Sequence, residues 1–133
     1  MSLLLDTHIL LWAVSDADRL PDHVRTRLDD PTETLVFSAA SLWEIVIKTA
    51  LNRPDFRVDG GQLRSACLGA GYVELPVTGI HGLGVADLPD LHRDPFDRIL
   101  IAQSRAEALT LMTADAQVAK YDGRIELIRP RAG

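Results

Sequence analysis

Leu3, Leu4 and Leu5 stand together with no polar residue between them, and Asp6 follows at once. Successive side chains of a strand point to opposite faces, so three leucines in a row need apolar cover on both sides. The run therefore predicts a central strand, buried above and below. Leu35-Val36-Phe37, Tyr72-Val73-Glu74-Leu75, Leu109-Thr110-Leu111-Met112 and residues 125–128 read as four further strands. Helical patterns separate them. That alternation implies an α/β fold: an open, mostly parallel sheet of about five strands between two layers of helices.

The helices have legible ends. A short one follows Asp6, and a second, amphipathic one is expected over residues 21–28. Ser38 is placed to cap a long helix over residues 39–51, whose buried side should carry Leu42, Trp43, Val46, Ile47 and Ala50. Residues 62–70 form another, with Gly71 as its C′ stop. Three glycines weaken the pattern over residues 78–85. In residues 91–105, LHRDPFDRILIAQSR, Asp94 is a cap, Pro95 the first helical residue, and Phe96, Ile99, Leu100 and Gln103 one stripe. A last helix is expected from Asp115 through Tyr121, and Arg129-Pro130-Arg131 reads as a mobile basic tail.

At 133 residues and 47% hydrophobic, the chain is expected to form a single domain over residues 1–133. No apolar run approaches the ~20 residues of a membrane span. The first residues lack a basic flank, so no signal peptide is expected, and the lone Cys67 fits a reducing cytoplasm and a buried apolar site. The net charge of −5 argues against a broad basic nucleic-acid face, and seven aromatic residues are too few for a stacking platform. Any nucleic acid would have to be held locally, with something to neutralise phosphate against carboxylate.

The chemistry lies in four acids: Asp6, Glu44, Asp97 and Asp115. Asp6 and Asp115 each fall just past the carboxyl end of a strand. Open α/β sheets bind ligands there when the two strands flank the point where strand order reverses. Glu44 lies on the helix leaving the second strand, and Asp97 in the first turn of the helix leading to the fourth. Each has a plainer reading. Asp6 could cap a helix, Glu44 could pair with Lys48, and Asp97 could face the helix dipole. Together in one cleft, four carboxylates would repel strongly unless cations lay between them. Oxygen donors without a His or Cys cluster select Mg²⁺ or Mn²⁺ before Zn²⁺. His8, spaced from no second histidine as a ligand pair would be, reads as packing or supporting hydrogen bonding.

LLLDTHILLW, SAASLWEIVIK, LPDLHRDPFDRILIAQS and LTLMTAD resemble, in that order, the blocks of PIN-domain ribonucleases, and within them the VapC-type toxins of bacterial toxin–antitoxin pairs. The resemblance covers nearly the whole chain. It implies a three-layer α/β/α domain with strand order 3-2-1-4-5, and a metal-binding catalytic quartet at Asp6, Glu44, Asp97 and Asp115. It implies Thr7 and Thr113 as supports beside the acids, and Lys48 and Arg98 as candidates to touch phosphate. For those two, a pair with Glu44 and surface solvation are the plainer readings. It also implies Mg²⁺- or Mn²⁺-dependent hydrolysis of RNA, a VapB-type antitoxin partner and a homodimer.

Two rival functions stay open on sequence. An aspartyl-phosphate phosphohydrolase could use an Asp after the first strand as nucleophile, but Asp6 is followed by Thr7-His8 and lacks the second Asp of that motif. A catalytically silent binding module could keep the fold without turnover.

Overall fold

The computed structural model describes residues 2–131; Met1 and residues 132–133, and with them the ends of the expected 1–133 unit, lie outside the described residues. Five strands form one sheet: β1 (Ser2–Leu5), β2 (Thr34–Ser38), β3 (Val73–Leu75), β4 (Thr110–Thr113) and β5 (Ile125–Leu127). Every pairing is parallel and the order is β3-β2-β1-β4-β5. β1 is thus central, as its leucine run requires. Leu3 and Leu5 join one core with Leu35, Phe37 and Met112, while Leu4 joins another with Val36 and Leu111. All three leucines are fully buried. Burial of one such side chain contributes about 2 kcal/mol before entropy is counted.

The described residues form six helices around the sheet: α1 (Thr7–Ser15), α2 (Asp22–Asp29), α3 (Ala39–Ala50), α4 (Gly60–Gly69), α5 (Gly79–Gly84) and α6 (Pro95–Ala106), with α5 packed on α6. Ile9 and Leu10 of α1, Val24 of α2, Ile45 of α3, and Leu63 and Cys67 of α4 pack on the Leu3/Leu5 face. Leu100 and Ile101 of α6 pack on the Leu4 face, with Val118 and Tyr121. This is the expected three-layer arrangement. Gly71, at φ +88°, closes α4 as expected, a backbone state that side-chain-bearing residues adopt at a cost. No helix among the described residues is long and apolar enough to cross a membrane.

Three expectations are corrected. The helix foreseen over residues 115–121 is only a 3₁₀ turn, Val118–Lys120. Asp115 turns its side chain onto the Gln117 amide, and the Asp122-Gly123 turn leaves too little chain for a full helix. The basic tail is tied down as far as Arg131, whose amide donates to the Arg19 carbonyl at 2.7 Å. The third correction concerns α3. Trp43 is 63% and Val46 59% exposed, whereas Ser41, Glu44 and Ile45 are buried. The helix is turned because its polar residues find partners on α1. Apolar character predicts burial only loosely when a polar stripe has somewhere better to go.

Candidate active site

Asp6 ends β1 and begins α1. Its Oδ1 accepts from the Ile9 amide at 2.9 Å, so it does cap the helix. Its Oδ2 accepts from the Thr113 hydroxyl at 2.5 Å. Thr113 is the last residue of β4, the strand beside β1 where the order reverses. The same hydroxyl accepts from the Asp115 amide at 3.0 Å. One threonine thus fixes Asp6 and sets the start of the segment carrying Asp115. Burial pushes the Asp6 carboxyl above the ordinary carboxylate range, against the lowering effect of these two bonds.

Glu44 is 3% exposed, on the inward face of α3. Thr7 donates to its Oε1 at 2.5 Å and Lys48 to its Oε2 at 2.5 Å. The i,i+4 pair read from sequence therefore exists, but buried instead of on the surface. Burial alone would lower the Lys48 ammonium; the bond to Glu44 and the charges of Asp94 and Asp97 outweigh it and hold the pKa above its usual value. Ser41, 3.0 Å from the Thr7 hydroxyl, completes this group.

Asp94 caps α6, accepting from the Phe96 and Asp97 amides at 2.8 and 3.1 Å through one oxygen. Asp97 sits in the first turn and faces inward. Burial, then the Asp94 charge, raises its carboxyl to about 6, despite the lowering bond from His92. His92 is the residue the sequence reading passed over. Its Nε2 lies 2.7 Å from Asp97 and 3.6 Å from Asp115. It lies in the loop before α6, where no periodicity marks it; its place two residues before the Asp94 cap was the available signal.

All four acids line one cleft of about 560 Å³, along with Thr7, Lys48 and Asp94. Arg98 is absent from that lining. Its guanidinium donates to the carbonyls of Val85, Leu88, Pro89 and His92 and to the Tyr121 hydroxyl, which stitches down the loop before α6. In this structure its terminal nitrogens are committed within the chain, outside the cleft that holds the acids. His8 is 2.8 Å from Asp55 and packs on Trp12 and Phe56, in the supporting role foreseen.

The PIN domain family model matches residues 3–124. The chain belongs to the PIN domain family. Its fold is shared with solved VapBC and VapC structures at low sequence identity. VapBC2 from Rickettsia felis, solved bound to a fragment of its promoter DNA, superposes with a TM-score of 0.68 at 16% identity, over 96% of this chain and 99% of that one. VapBC from Salmonella typhimurium, also DNA-bound, gives 0.66 at 16%, over 95% and 97%. Mycobacterium tuberculosis VapC20, described as a toxin that cleaves the sarcin–ricin loop, gives 0.58 at 18%, over 90% and 96%. No curated protein sequence matches at a significant level.

This PIN domain has a group of side chains that could hold a metal ion. His92, Asp94 and Asp97, two carboxylates and an imidazole, each offer a donor atom within 4.8 Å of the others; Asp6, Glu44 and Asp115 share the cleft but not that tight group. Carboxylates gathered this closely raise one another's pKa, as Asp94, Asp6 and Glu44 do to Asp97, so a positive charge among them would be strongly held.

Proposed function

We propose that the protein is a Mg²⁺- or Mn²⁺-dependent endoribonuclease, the toxin of a type II toxin–antitoxin pair. The observation that carries this reading is that Asp6, Glu44, Asp97 and Asp115, from four separate elements, line one cleft at the reversal of strand order. Asp6, Asp97 and Asp115 would hold the cation, with Glu44 binding directly or through water. When bound, the cation supplies Lewis acidity toward the phosphodiester and lowers the pKa of the attacking water. The chain's own residues do the positioning. Thr113 holds Asp6 and the backbone at Asp115; Thr7 and Lys48 hold Glu44; the Asp94 cap aims Asp97 inward. Lys48 also brings positive charge into a cleft that would otherwise repel RNA.

A VapB-type antitoxin in the cytoplasm and self-association belong to the same reading. The VapBC structures supply the precedent. On this molecule the exposed Trp43, Val46, Ile80 and Leu83 supply apolar surface for such contacts.

Incubation of the purified protein with total RNA tests the activity. Discrete cleavage with Mg²⁺ or Mn²⁺, suppressed by a chelator and absent in Asp97→Asn, is expected. Covalent phosphate labelling of Asp6 would favour the phosphohydrolase instead. Antitoxin binding with no cleavage under any metal would leave a silent binding module.

A further inference from the structure

The cleft is larger than a phosphate and a cation need, and its wall continues beyond the acids to Trp12, Arg19 and Pro130. Three basic side chains line it: His8, Arg19 and Lys48. His8 is spent on Asp55 and Lys48 on Glu44. Arg19 differs. Its guanidinium carbon lies 4.9 Å from the centroid of the Trp12 ring, and its Nε is buried with no hydrogen-bond partner. The residue as a whole is only partly buried, and no acceptor among the described residues holds its guanidinium, so the donors that reach the cleft are free for an incoming one. The backbone there is fixed from two sides. Arg19 ends the 3₁₀ turn Ala17–Arg19, and its carbonyl accepts from the Arg131 amide.

We propose that Arg19, stacked on Trp12, binds a backbone phosphate of the RNA strand next to the one that is cut. This rests on the ribonuclease reading above and extends it to how the strand is held. Guanidinium is suited to phosphate because its N–H groups form a planar fork that pairs with two oxygens at once. Stacking on the indole orders the side chain beforehand, so less freedom is lost on binding. Arg19 is thus a substrate-binding residue, and Trp12 positions it.

The test uses the full chain with Trp43→Phe, so that fluorescence reports Trp12 alone. A short single-stranded RNA of mixed sequence is titrated in Ca²⁺, and its cleavage is followed separately in Mn²⁺. Binding should change Trp12 fluorescence. Arg19→Gln should weaken binding about tenfold or more. It should also flatten the plot of log affinity against log salt by about 0.7, the loss of one phosphate contact on a single strand. In cleavage, KM should rise while kcat stays within about twofold, since the contact is uniform between ground and transition states. Arg19→Lys should restore the salt slope, because its charge reaches the same phosphate. A purely structural arginine would change stability and leave the slope untouched. Unchanged affinity and slope in Arg19→Gln, beside a wild type that cleaves, overturns the Arg19 site alone. RNA binding with the predicted slope change but no cleavage in any metal keeps the site and removes the ribonuclease. A wild type that neither binds nor cuts RNA removes both.

Discussion

Nε2 of His92 lies 2.7 Å from Oδ2 of Asp97 and 3.6 Å from Oδ2 of Asp115. The imidazole thereby bridges two acids that belong to different elements, one at the start of α6 and one past the end of β4. Burial and the neighbouring Asp94 charge raise the Asp97 carboxyl, and its proton gives the first prediction.

The Asp97 carboxyl sits at about 6 in the folded protein against 3.8 in an unpaired chain. A raised folded pKa means that the native state holds the proton more tightly. Its contribution to stability is therefore complete below about pH 4 and lost as pH rises through 6. Two units correspond to about 3 kcal/mol at most. In chelator, the stability of wild type relative to Asp97→Asn should fall by up to that amount between pH 4 and 7, measured by urea denaturation. A bound cation must displace the same proton, so the Mn²⁺ concentration needed to raise Tm should drop with rising pH and level off above 6. Parallel stability curves for the two proteins would remove the raised Asp97 from the account.

Asp94 and Asp97 sit three residues apart and should separate cleanly. Asp94 spends one oxygen on two backbone amides. Asp94→Ala should cost about 1 kcal/mol and leave appreciable cleavage, and Asp94→Asn, an equally good cap, should restore the stability. Asp97→Asn should abolish turnover without destabilising the metal-free protein at neutral pH. Full activity in Asp97→Asn, or its loss in Asp94→Asn, would reverse the roles given to them.

Glu44 and Lys48 are expected to respond unequally. Glu44→Gln leaves Lys48 near Asp94 and Asp97 and relieves repulsion within the cleft, so the metal-free protein should stay within about 1 kcal/mol of wild type. Cleavage should nonetheless fall by at least about 10²-fold, from loss of charge stabilisation at the metal. Lys48→Met strands a buried carboxylate and should cost about 3 kcal/mol. The double variant should recover most of that loss. Equal destabilisation by both single variants, read by chemical denaturation, would return the pair to an ordinary ion pair. Near-normal cleavage by Glu44→Gln would reduce the site to three aspartates.

Arg98 is a loop clamp on this structure, so Arg98→Gln frees several backbone carbonyls at once. A loss of about 2–3 kcal/mol is expected, and Arg98→Lys should rescue little, since one ammonium cannot span the same acceptors. The salt dependence of RNA cleavage should not change. A flatter salt dependence with intact stability would make Arg98 a phosphate contact after all.

What the sequence disclosed follows a physical pattern. The centre of the sheet was legible because doubly buried strands such as Leu3-Leu4-Leu5 and Leu35-Val36-Phe37 are written as unbroken apolar runs, and Asp6 and Asp115 because acids at strand ends need only local information. The Asp94 cap was legible for the same reason. The rotation of α3 was not, because it depends on Thr7 reaching Glu44 across 37 residues of chain. The Arg98 clamp was not legible because all but one of its partners are backbone carbonyls, which leave no mark in a sequence. His92 was missed because loop residues carry no periodicity. The 3₁₀ turn after Asp115 was mistaken for a helix because one turn and three share the same apolar spacing.

The Thr113–Asp6 hydrogen bond has a consequence for the timing of synthesis. β4 is laid against β1 although it is made long after it, and it brings Asp115 with it, while Asp97 arrives on the helix just before. The first three strands are neighbours and are made first, yet the chain up to their end carries only Asp6 and, on α3, Glu44. A chain still emerging from the ribosome therefore holds half a quartet, with Asp6 lacking the threonine that orients it. The cleft is complete only when β4, near the far end of the sequence, closes against β1 at its beginning, so the four acids meet as one of the last events of folding.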